Sequence, residues 1–155
     1  MSHLTHRLAI IPDLYYVAPR LRKEDLAEVQ GRGNDPLDSL IRGYLHGDRC
    51  WTLLADGVPA AIYGISKTSD TPRSGALWLL GTDDIYKHRS EFVRISRSRV
   101  AEISAPYDFV WNFVDSRNDL HIRWLRWLGF TFIRSTTEVS VDGTLFYEFV
   151  KITHV

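Results

Sequence analysis

Three polar side chains able to take part in proton transfer lie close together in the stretch DSRNDLH: Asp115, Asn118 and His121. A carboxylate can act as a base on an incoming amine, and an imidazole can shuttle a proton near neutral pH. Each has a structural alternative, because an aspartate at a strand end often shapes a turn and a core histidine is often hydrogen-bonded. We favour the structural alternatives and keep Asp115 and His121 as candidate catalytic residues.

A predicted amphipathic helix, NDLHIRWLRWLGF, carries two of these residues. Asn118 is predicted to cap its start, and Gly129 to supply the left-handed turn that ends it. His121 falls within the apolar arc, whereas the arginines occupy the opposite face. The apolar arc consists of Leu120, Trp124, Leu125, Trp127 and Leu128. Since tryptophans and arginines lie on different faces, we do not expect a mixed surface for stacking on nucleic acid or for a membrane interface.

Composition is that of an ordinary globular protein, with 45% hydrophobic and 25% charged residues. Basic and acidic residues balance at 19 each, so no overall field attracts nucleic acid or an anionic membrane. No stretch approaches the roughly 18 apolar residues of a transmembrane helix, and the N-terminus lacks the apolar run of a signal peptide. We therefore expect a single domain, residues 1–155, in the cytosol.

The metal-binding and redox residue types are sparse. Cys50 is the only cysteine, which excludes an internal disulfide and is compatible with a reducing compartment. It has no obvious basic partner, so a small buried hydrophobe is the favoured interpretation. His3 and His6 lie near the N-terminus, where we predict no metal site.

Hydrophobic periodicity predicts alternating groups of strands and helices after an N-terminal extension, residues 1–14. Asp56-Gly57 and Asp142-Gly143 are predicted to turn two hairpins. The predicted strands cover residues 15–22, two within 51–66, 75–83, 108–115, 131–140 and 144–152. The predicted helices cover residues 23–30, 35–47, a segment starting at Ser90, and 118–129.

This element order resembles the GNAT superfamily, the acyl-CoA N-acyltransferases, from about residue 15 onward. Members commonly open the helix after strand five with Asn and close it with Gly-Phe, as Asn118, Gly129 and Phe130 do here. The resemblance implies an α+β, three-layer fold, with a mixed, mostly antiparallel seven-stranded sheet and about four helices. It also implies that strands four and five splay apart to seat the pantetheine arm of acetyl-CoA.

The sequence departs from that superfamily where the cofactor phosphates bind. Members normally have a glycine-containing loop after strand four, whose N–H groups cradle the pyrophosphate. Here the loop reads GTDDIYKHRSEF, and Asp83 and Asp84 stand where phosphates would arrive. The basic run Lys87–Arg89 before Ser90, a predicted helix cap, either compensates with side chains or is a solvated face. The resulting candidate cofactor-binding residues are Leu80, Gly81, Thr82, Lys87, His88, Arg89, Ser90 and Asn118.

A second departure concerns the general acid. Many GNAT enzymes carry a tyrosine seven residues after the helix-opening Asn, where it reprotonates the CoA thiolate. Leu125 occupies that position, and the predicted helix contains no tyrosine.

A narrower resemblance covers mainly the C-terminal half. Trp111 and Asn112 in the strand, the run His121–Arg126 and the closing Gly129 look like small internal virion proteins of short-tailed bacteriophages. Those proteins are packaged in, or needed to assemble, the core inside the head. The resemblance implies a location in the virion interior or the host cytoplasm, and partners among other virion proteins or a host protein.

Two hypotheses follow from these observations. The favoured one is a GNAT-fold phage protein that acts as a structural or interaction partner, requires no cofactor and has lost acetyltransferase chemistry. The alternative is an acetyl-CoA-dependent N-acetyltransferase acting on a host protein or a small amine. The segment from Thr82 to Ser90 distinguishes them, because only the enzyme needs its N–H groups directed into the cleft between strands four and five.

Overall fold

A mixed sheet of seven strands forms the middle layer of the molecule. The structure is a computed structural model that describes residues 2–47 and 49–153. The strands are β1 (Leu4–Leu8), β2 (Arg49–Ala55), β3 (Val58–Asp70), β4 (Arg73–Gly81), β5 (Phe109–Asp115), β6 (Thr131–Thr136) and β7 (Phe146–Ile152). Their spatial order is β1-β2-β3-β4-β5-β7-β6. Only β4 and β5 pair in parallel, which confirms the predicted mixed, mostly antiparallel sheet.

Helices cover both faces of this sheet, as the sequence predicts. They are α1 (Ile11–Val17), α2 (Lys23–Gly31), α3 (Pro36–His46), α4 (Asp83–Lys87), α5 (Arg89–Ser104) and α6 (Asp119–Trp127). One apolar cluster, containing Phe92 and Leu125, joins α5 and α6 to one face. A second cluster, containing Leu14 and Leu40, joins α1 to α3 to the other face. Among the described residues, no helix has the length and apolarity needed to cross a membrane.

The hairpins follow from local turn chemistry. Asp56 and Gly57 have φ angles of 49° and 83°, the left-handed pair that a tight hairpin turn requires, and β2 and β3 flank them. The C-terminal hairpin is also confirmed, although β6 ends at Thr136 rather than near residue 140. Thr136 Oγ1 accepts a hydrogen bond from the Glu138 N–H, which turns the chain out of the strand.

The predicted strand at residues 15–22 is wrong. That segment contains the second half of α1 and a 3₁₀ turn, Ala18–Arg20. The Asp13 carboxylate accepts a bond from the Ile10 N–H, and Leu14 and Val17 are fully buried one helical turn apart. Capping and burial thus outweigh the β propensity of the tyrosines. The first strand, β1, lies instead within residues 1–14, the segment predicted to be an extension.

Candidate functional site

The strands β4 and β5 separate after three paired positions. The pairs are Ser74 with Phe109, Gly75 with Val110, and Ala76 with Trp111. The next residue on β5, Asn112, spans the opening gap: its Nδ2 donates to the Leu77 carbonyl at 2.9 Å. Its Oδ1 accepts from the Phe113 N–H at 2.8 Å. The Asn112 side chain therefore replaces one step of strand pairing at the splay.

A groove of about 520 Å³ extends from this splay across the face that carries α2 and α3. Trp78 of β4 and Trp111 of β5 line it, and His121 of α6 lies behind the gap. Gly43 of α3 permits close approach, because a Cβ at that position would lie 2.5 Å from Trp78 Cζ2. The groove has the size of a small-molecule site or of a short peptide segment.

A buried polar network centred on Asp25 stands beside the groove. Asp25 is fully buried, and its carboxylate accepts bonds from Arg22 Nη1 at 3.0 Å and from the Gly81 N–H at 2.8 Å. It also accepts a bond from Asn118 Nδ2 at 3.0 Å. A buried carboxylate with a paired arginine and two further donors is well compensated. The network joins α2, the end of β4 and the start of α6.

Asn118 does not cap α6 with its side chain, contrary to the prediction. The residue precedes the helix and is fully buried, but its amide faces the Asp25 network. Its Oδ1 lies 3.4 Å from Arg22 Nη1, so both ends of the amide are engaged. The oxygen that a cap would use accepts from Arg22 instead, and the amide nitrogen donates to Asp25, because leaving these buried charged groups unpaired would cost more than the loss of a cap. Gly129, by contrast, has φ of 91° and ends the helix as predicted.

His121 is buried and lines the groove. Its Nε2 lies 3.5 Å from Asp25 Oδ1, but it makes no hydrogen bond with any described residue. Burial lowers the pKa of His121, and this effect outweighs the opposing attraction of Asp25. The ring is therefore held close to a carboxylate in its neutral form. Its assignment as a proton shuttle or a core histidine stays a prediction.

Glu28 of α2, like Asp25, is a titratable group that was not predicted from the sequence. It lines the groove, and its Oε1 accepts a bond from the Asp115 N–H at 2.7 Å. Burial, reinforced by the nearby Asp25, raises the pKa of Glu28 to about 8. The one available signal was spacing, since Asp25 and Glu28 are three residues apart and share a helix face.

Asp115 ends β5 with its carboxylate directed to a local partner. Its Oδ1 accepts from the Arg117 N–H at 2.9 Å, and its Oδ2 lies 2.7 Å from Arg117 Nη2. It does not belong to the groove lining. The geometry matches the turn-forming role considered for this residue, and its role as a base stays a prediction.

The segment after β4 folds as a short helix, and four of its N–H groups, those of Gly81, Thr82, Asp84 and Ile85, are bonded within the protein. The Gly81 N–H binds the Asp25 carboxylate, and the Thr82 N–H binds a β3 carbonyl at 2.8 Å. The Asp84 N–H binds Thr82 Oγ1, while the Ile85 N–H binds the Thr82 carbonyl. Ile85 is fully buried and fixes α4 to the sheet. These residues do not fit the pyrophosphate of CoA, because the donors that would cradle it are in use.

The basic side chains next to this segment also make local contacts. Lys87 Nζ lies 3.3 Å from Asp84 Oδ1. Arg89 donates to the Tyr86 carbonyl at 3.0 Å, and its guanidinium lies 4.5 Å from the centre of that ring. Both basic side chains are thus engaged with α4 and not directed at the splay by any observed contact.

The remaining candidate cofactor residues are divided between surface and core. Leu80 is buried in the cluster below α1 to α3. The His88 ring lies 5.1 Å from the His3 ring, at the surface. The predicted cap at Ser90 is wrong, because α5 begins at Arg89 with His88 before it. His88 makes no side-chain cap bond at this helix start.

Most of these features fall within a segment that matches a phage protein family. The model of the family described as "Bacteriophage T7, probable scaffold protein Gp13" matches residues 50–137. The chain belongs to this family. The matched segment runs from β2 through β6, so it contains the splay, α4 and α6. The groove-lining part of α2 and α3 lies outside it.

Solved structures similar to this member of the Gp13 family are acetyltransferases. Ard1 from Thermoplasma volcanium has a TM-score of 0.75 at 18% identity, over 99% of this chain and 100% of that one. The protein yncA from Salmonella typhimurium, solved with its cofactor acetyl-CoA, has a TM-score of 0.73 at 14% identity, over 98% of this chain and 95% of that one. A GNAT-family acetyltransferase from Streptococcus pneumoniae has a TM-score of 0.67 at 13% identity, over 96% and 98%. These likenesses confirm the GNAT fold. No curated protein matches the chain.

Proposed function

We propose that this GNAT-fold member of the Gp13 scaffold family works as an interaction protein in virion assembly or ejection and has no acetyltransferase activity. It acts in the virion interior or the host cytoplasm, with other virion proteins or a host protein as partners. It requires no cofactor. The family match supports the phage context, and the segment after β4 supports the loss of chemistry.

The bonded N–H groups between Gly81 and Ile85 carry this proposal. Losing two or three charge-assisted hydrogen bonds to phosphate, each about 1.5–3 kcal/mol, removes roughly 3–9 kcal/mol of binding free energy. A micromolar ligand is held by about 8 kcal/mol. The loss is therefore large enough to abolish useful affinity for acetyl-CoA.

Calorimetric titration of the purified protein with acetyl-CoA, and separately with CoA, tests the loss of chemistry. We expect no saturable heat at millimolar ligand. Binding tighter than about 100 micromolar, or roughly 5.5 kcal/mol, would overturn this part of the proposal. A GNAT enzyme with an intact glycine loop, titrated under the same conditions, is the positive control.

Quantitative mass spectrometry of purified phage particles and of procapsids tests the virion role. We expect the chain at a fixed copy number in at least one of the two, above the level of host proteins carried along. Absence from both, in an infection that expresses the protein, would contradict the role. The particle measurement is independent of the titration, so the two parts of the proposal can fail separately.

N-acetyl transfer is the second candidate function, and the splay between β4 and β5 favours it. Glu28 is a groove carboxyl whose pKa of about 8 suits proton removal from an amine. A thiol-release assay with acetyl-CoA and a panel of polyamines and lysine peptides tests this candidate. Turnover abolished by Glu28→Gln, with the fold retained, would establish it.

A further inference from the structure

Three buried polar atoms along the groove lack a hydrogen-bond partner among the described residues. They are Ser39 Oγ, Trp78 Nε1 and His121 Nε2, contributed by α3, β4 and α6. Buried polar groups are normally paired, and an orphaned one costs free energy unless something binds it. Since the Trp78 indole only donates and the Ser39 hydroxyl can donate, the groove offers donors to an acceptor-rich ligand.

Two arginines add positive charge to the same groove. Arg32 and Arg42 both line it, and neither forms an ion pair with a carboxylate in residues 2–47 or 49–153. Arg42 instead donates to Asn34 Oδ1 at 3.1 Å. The guanidinium of Arg32 lies 5.6 Å from the centre of the Phe113 ring, where it is partly shielded from water. A carboxylate can form two parallel hydrogen bonds with such a group.

Glu28 is the acidic residue of the groove lining, and it does not oppose an anion at neutral pH. With its pKa raised to about 8, mainly by burial, the carboxyl is predominantly protonated at pH 7. In that form it presents an O–H donor in place of a negative charge. The charged groups that line the groove are then positive.

Aromatic walls supply the rest of the binding surface. Trp111 is held by a bond from its Nε1 to Thr68 Oγ1 at 3.1 Å, and its ring meets Phe113 edge-on at 5.8 Å. Trp78 stands across the groove, against Gly43. Rigid aromatic surfaces beside unpaired donors suit an apolar side chain flanked by acidic ones.

We propose that the groove between α3 and β5 binds an extended acidic peptide segment of a partner protein, with a carboxylate of that segment on Arg32 and an apolar side chain between Trp78 and Trp111. The choice of a protein as the source rests on the proposed function. Peptide carbonyls meet the indole of Trp78 and the hydroxyl of Ser39. Asn112 already occupies the start of the splay, so the segment lies across the face of the sheet and not through the gap.

Fluorescence anisotropy with a labelled peptide tests the site. The probe is fluorescein-Gly-Glu-Phe-Glu-Leu-Glu-Gly, and the matched control replaces each Glu with Gln. We expect saturable binding of the acidic probe and at least tenfold weaker binding of the neutral one. Equal binding of both peptides, or of neither, would overturn the proposal.

Arg32→Gln is the variant that reports on the carboxylate contact, and Arg126→Gln is its matched control. Arg126 also holds its guanidinium over a phenyl ring, Phe132, at 5.4 Å, but it does not line the groove. We expect at least a tenfold loss of probe affinity for Arg32→Gln and less than a twofold change for Arg126→Gln. Equal effects would overturn the assignment, and circular dichroism checks that both variants fold.

The indole N–H of Trp78 provides a readout that general charge attraction would not move. In a ¹⁵N–¹H spectrum, assigned by the resonance that Trp78→Phe removes, saturation with the acidic peptide should shift this signal downfield as it gains an acceptor. If the Trp78 signal does not move at saturation, the peptide binds elsewhere and the proposed site in the groove is wrong. If glutarate, a small dicarboxylate, binds as tightly as the peptide, the ligand need not be part of a protein and the proposal of a peptide ligand is overturned. This result is independent of the particle and CoA experiments.

Discussion

Asn112 donates its side-chain amide to the Leu77 carbonyl at 2.9 Å, directly beyond the last paired residues of β4 and β5. The same side chain receives the Phe113 N–H, so one asparagine satisfies a backbone group on each of the two strands. In the GNAT fold the two strands diverge at this place. Here the divergence begins at these two Asn112 hydrogen bonds, and the groove beyond them contains donors that no described residue satisfies.

Replacing Asn112 by Ala should lower the free energy of unfolding by about 1–3 kcal/mol, because a carbonyl and an N–H lose their partner in a partly buried setting. Urea unfolding monitored by tryptophan fluorescence measures the change. Asn34→Ala is the matched control, since the side-chain carbonyl of Asn34 accepts its hydrogen bond from an exposed arginine. We expect that control to stay within about 0.5 kcal/mol of the wild type. Equal losses of stability for the two variants would show that the Asn112 hydrogen bonds contribute no more than the exposed bond of Asn34.

Replacing Asp25 by Ala should lower the free energy of unfolding by about 3–5 kcal/mol, because it leaves the buried Arg22 with only the more distant, partly exposed Glu24 at 3.9 Å. The Gly81 and Asn118 donors lose their acceptor at the same time. Asp38→Ala, at an exposed position of α3, is the control, with an expected change below about 0.5 kcal/mol. Thermal unfolding followed by circular dichroism compares the two, and a mild loss for Asp25→Ala would contradict the network.

Stability should fall as pH rises through the range in which Glu28 ionises. Its pKa in the folded protein, about 8, lies above the ordinary value of 4.5. The stabilising contribution is therefore fully present below about pH 4.5 and is lost as pH rises toward 8, with a slope of at most about 1.4 kcal/mol per pH unit. The negative charges of Asp25 and Asp115 add to the rise in the pKa of Glu28, whereas the hydrogen bond donated by the Asp115 N–H lowers that pKa. Arg32, which faces Glu28, favours the charged form.

Glu28→Gln provides the measurement of this effect. Urea midpoints of wild type and variant, recorded at pH 5, 6.5, 8 and 9, should lie closest together at low pH, where Gln resembles the protonated Glu28. They should separate as pH rises, with the wild type falling below the variant, because only the wild type loses stability through this group. Titrating groups remote from Glu28 contribute equally to both proteins. Parallel curves across the whole range would contradict the raised pKa.

Replacing Gly43 by Ala should disturb the groove, because its Cβ would lie 2.5 Å from Cζ2 of the rigid Trp78 ring. We expect a loss of about 1–3 kcal/mol from overpacking, together with a displaced Trp78 indole signal. Gly31→Ala, in α2, is the matched control, since the nearest atom would lie at an ordinary 3.6 Å. Urea unfolding and the tryptophan spectrum test both variants, and a neutral Gly43→Ala would show that α3 shifts easily.

The parts of the fold that sequence predicts well are those decided by neighbouring residues. Asp56 and Gly57 specify their hairpin by backbone conformation alone, and Gly129 ends α6 in the same way. The helix α3 follows from Asp35, whose side chain accepts the Asp38 N–H as a cap. Each of these features needs only contacts within a few positions along the chain.

The site was harder to predict because its properties arise between distant segments. Asn118 looks like a cap locally, but its partner Asp25 lies 93 residues earlier. Glu28 acquires its raised pKa only when the fold buries it beside Asp25. Its contact with β5 also joins distant segments, because the Asp115 N–H that bonds its carboxylate lies 87 residues later. Local patterns rank such residues as ordinary helix surface. The error at residues 15–22 has the same origin, because burial of Leu14 and Val17 against other elements decides that segment.

The sheet consists of two arms, β1 to β4 and β5 to β7, that share three paired positions. These three paired positions form the seam between the arms, and so short a seam would allow the two arms to unfold independently if nothing else joined them. Asp25 holds Gly81 at the end of one arm and Asn118 just beyond β5 of the other, on the side remote from the seam. The two arms should consequently exchange their amide hydrogens as one cooperative unit, with the Gly81 and Leu77 regions protected as long as the network remains intact.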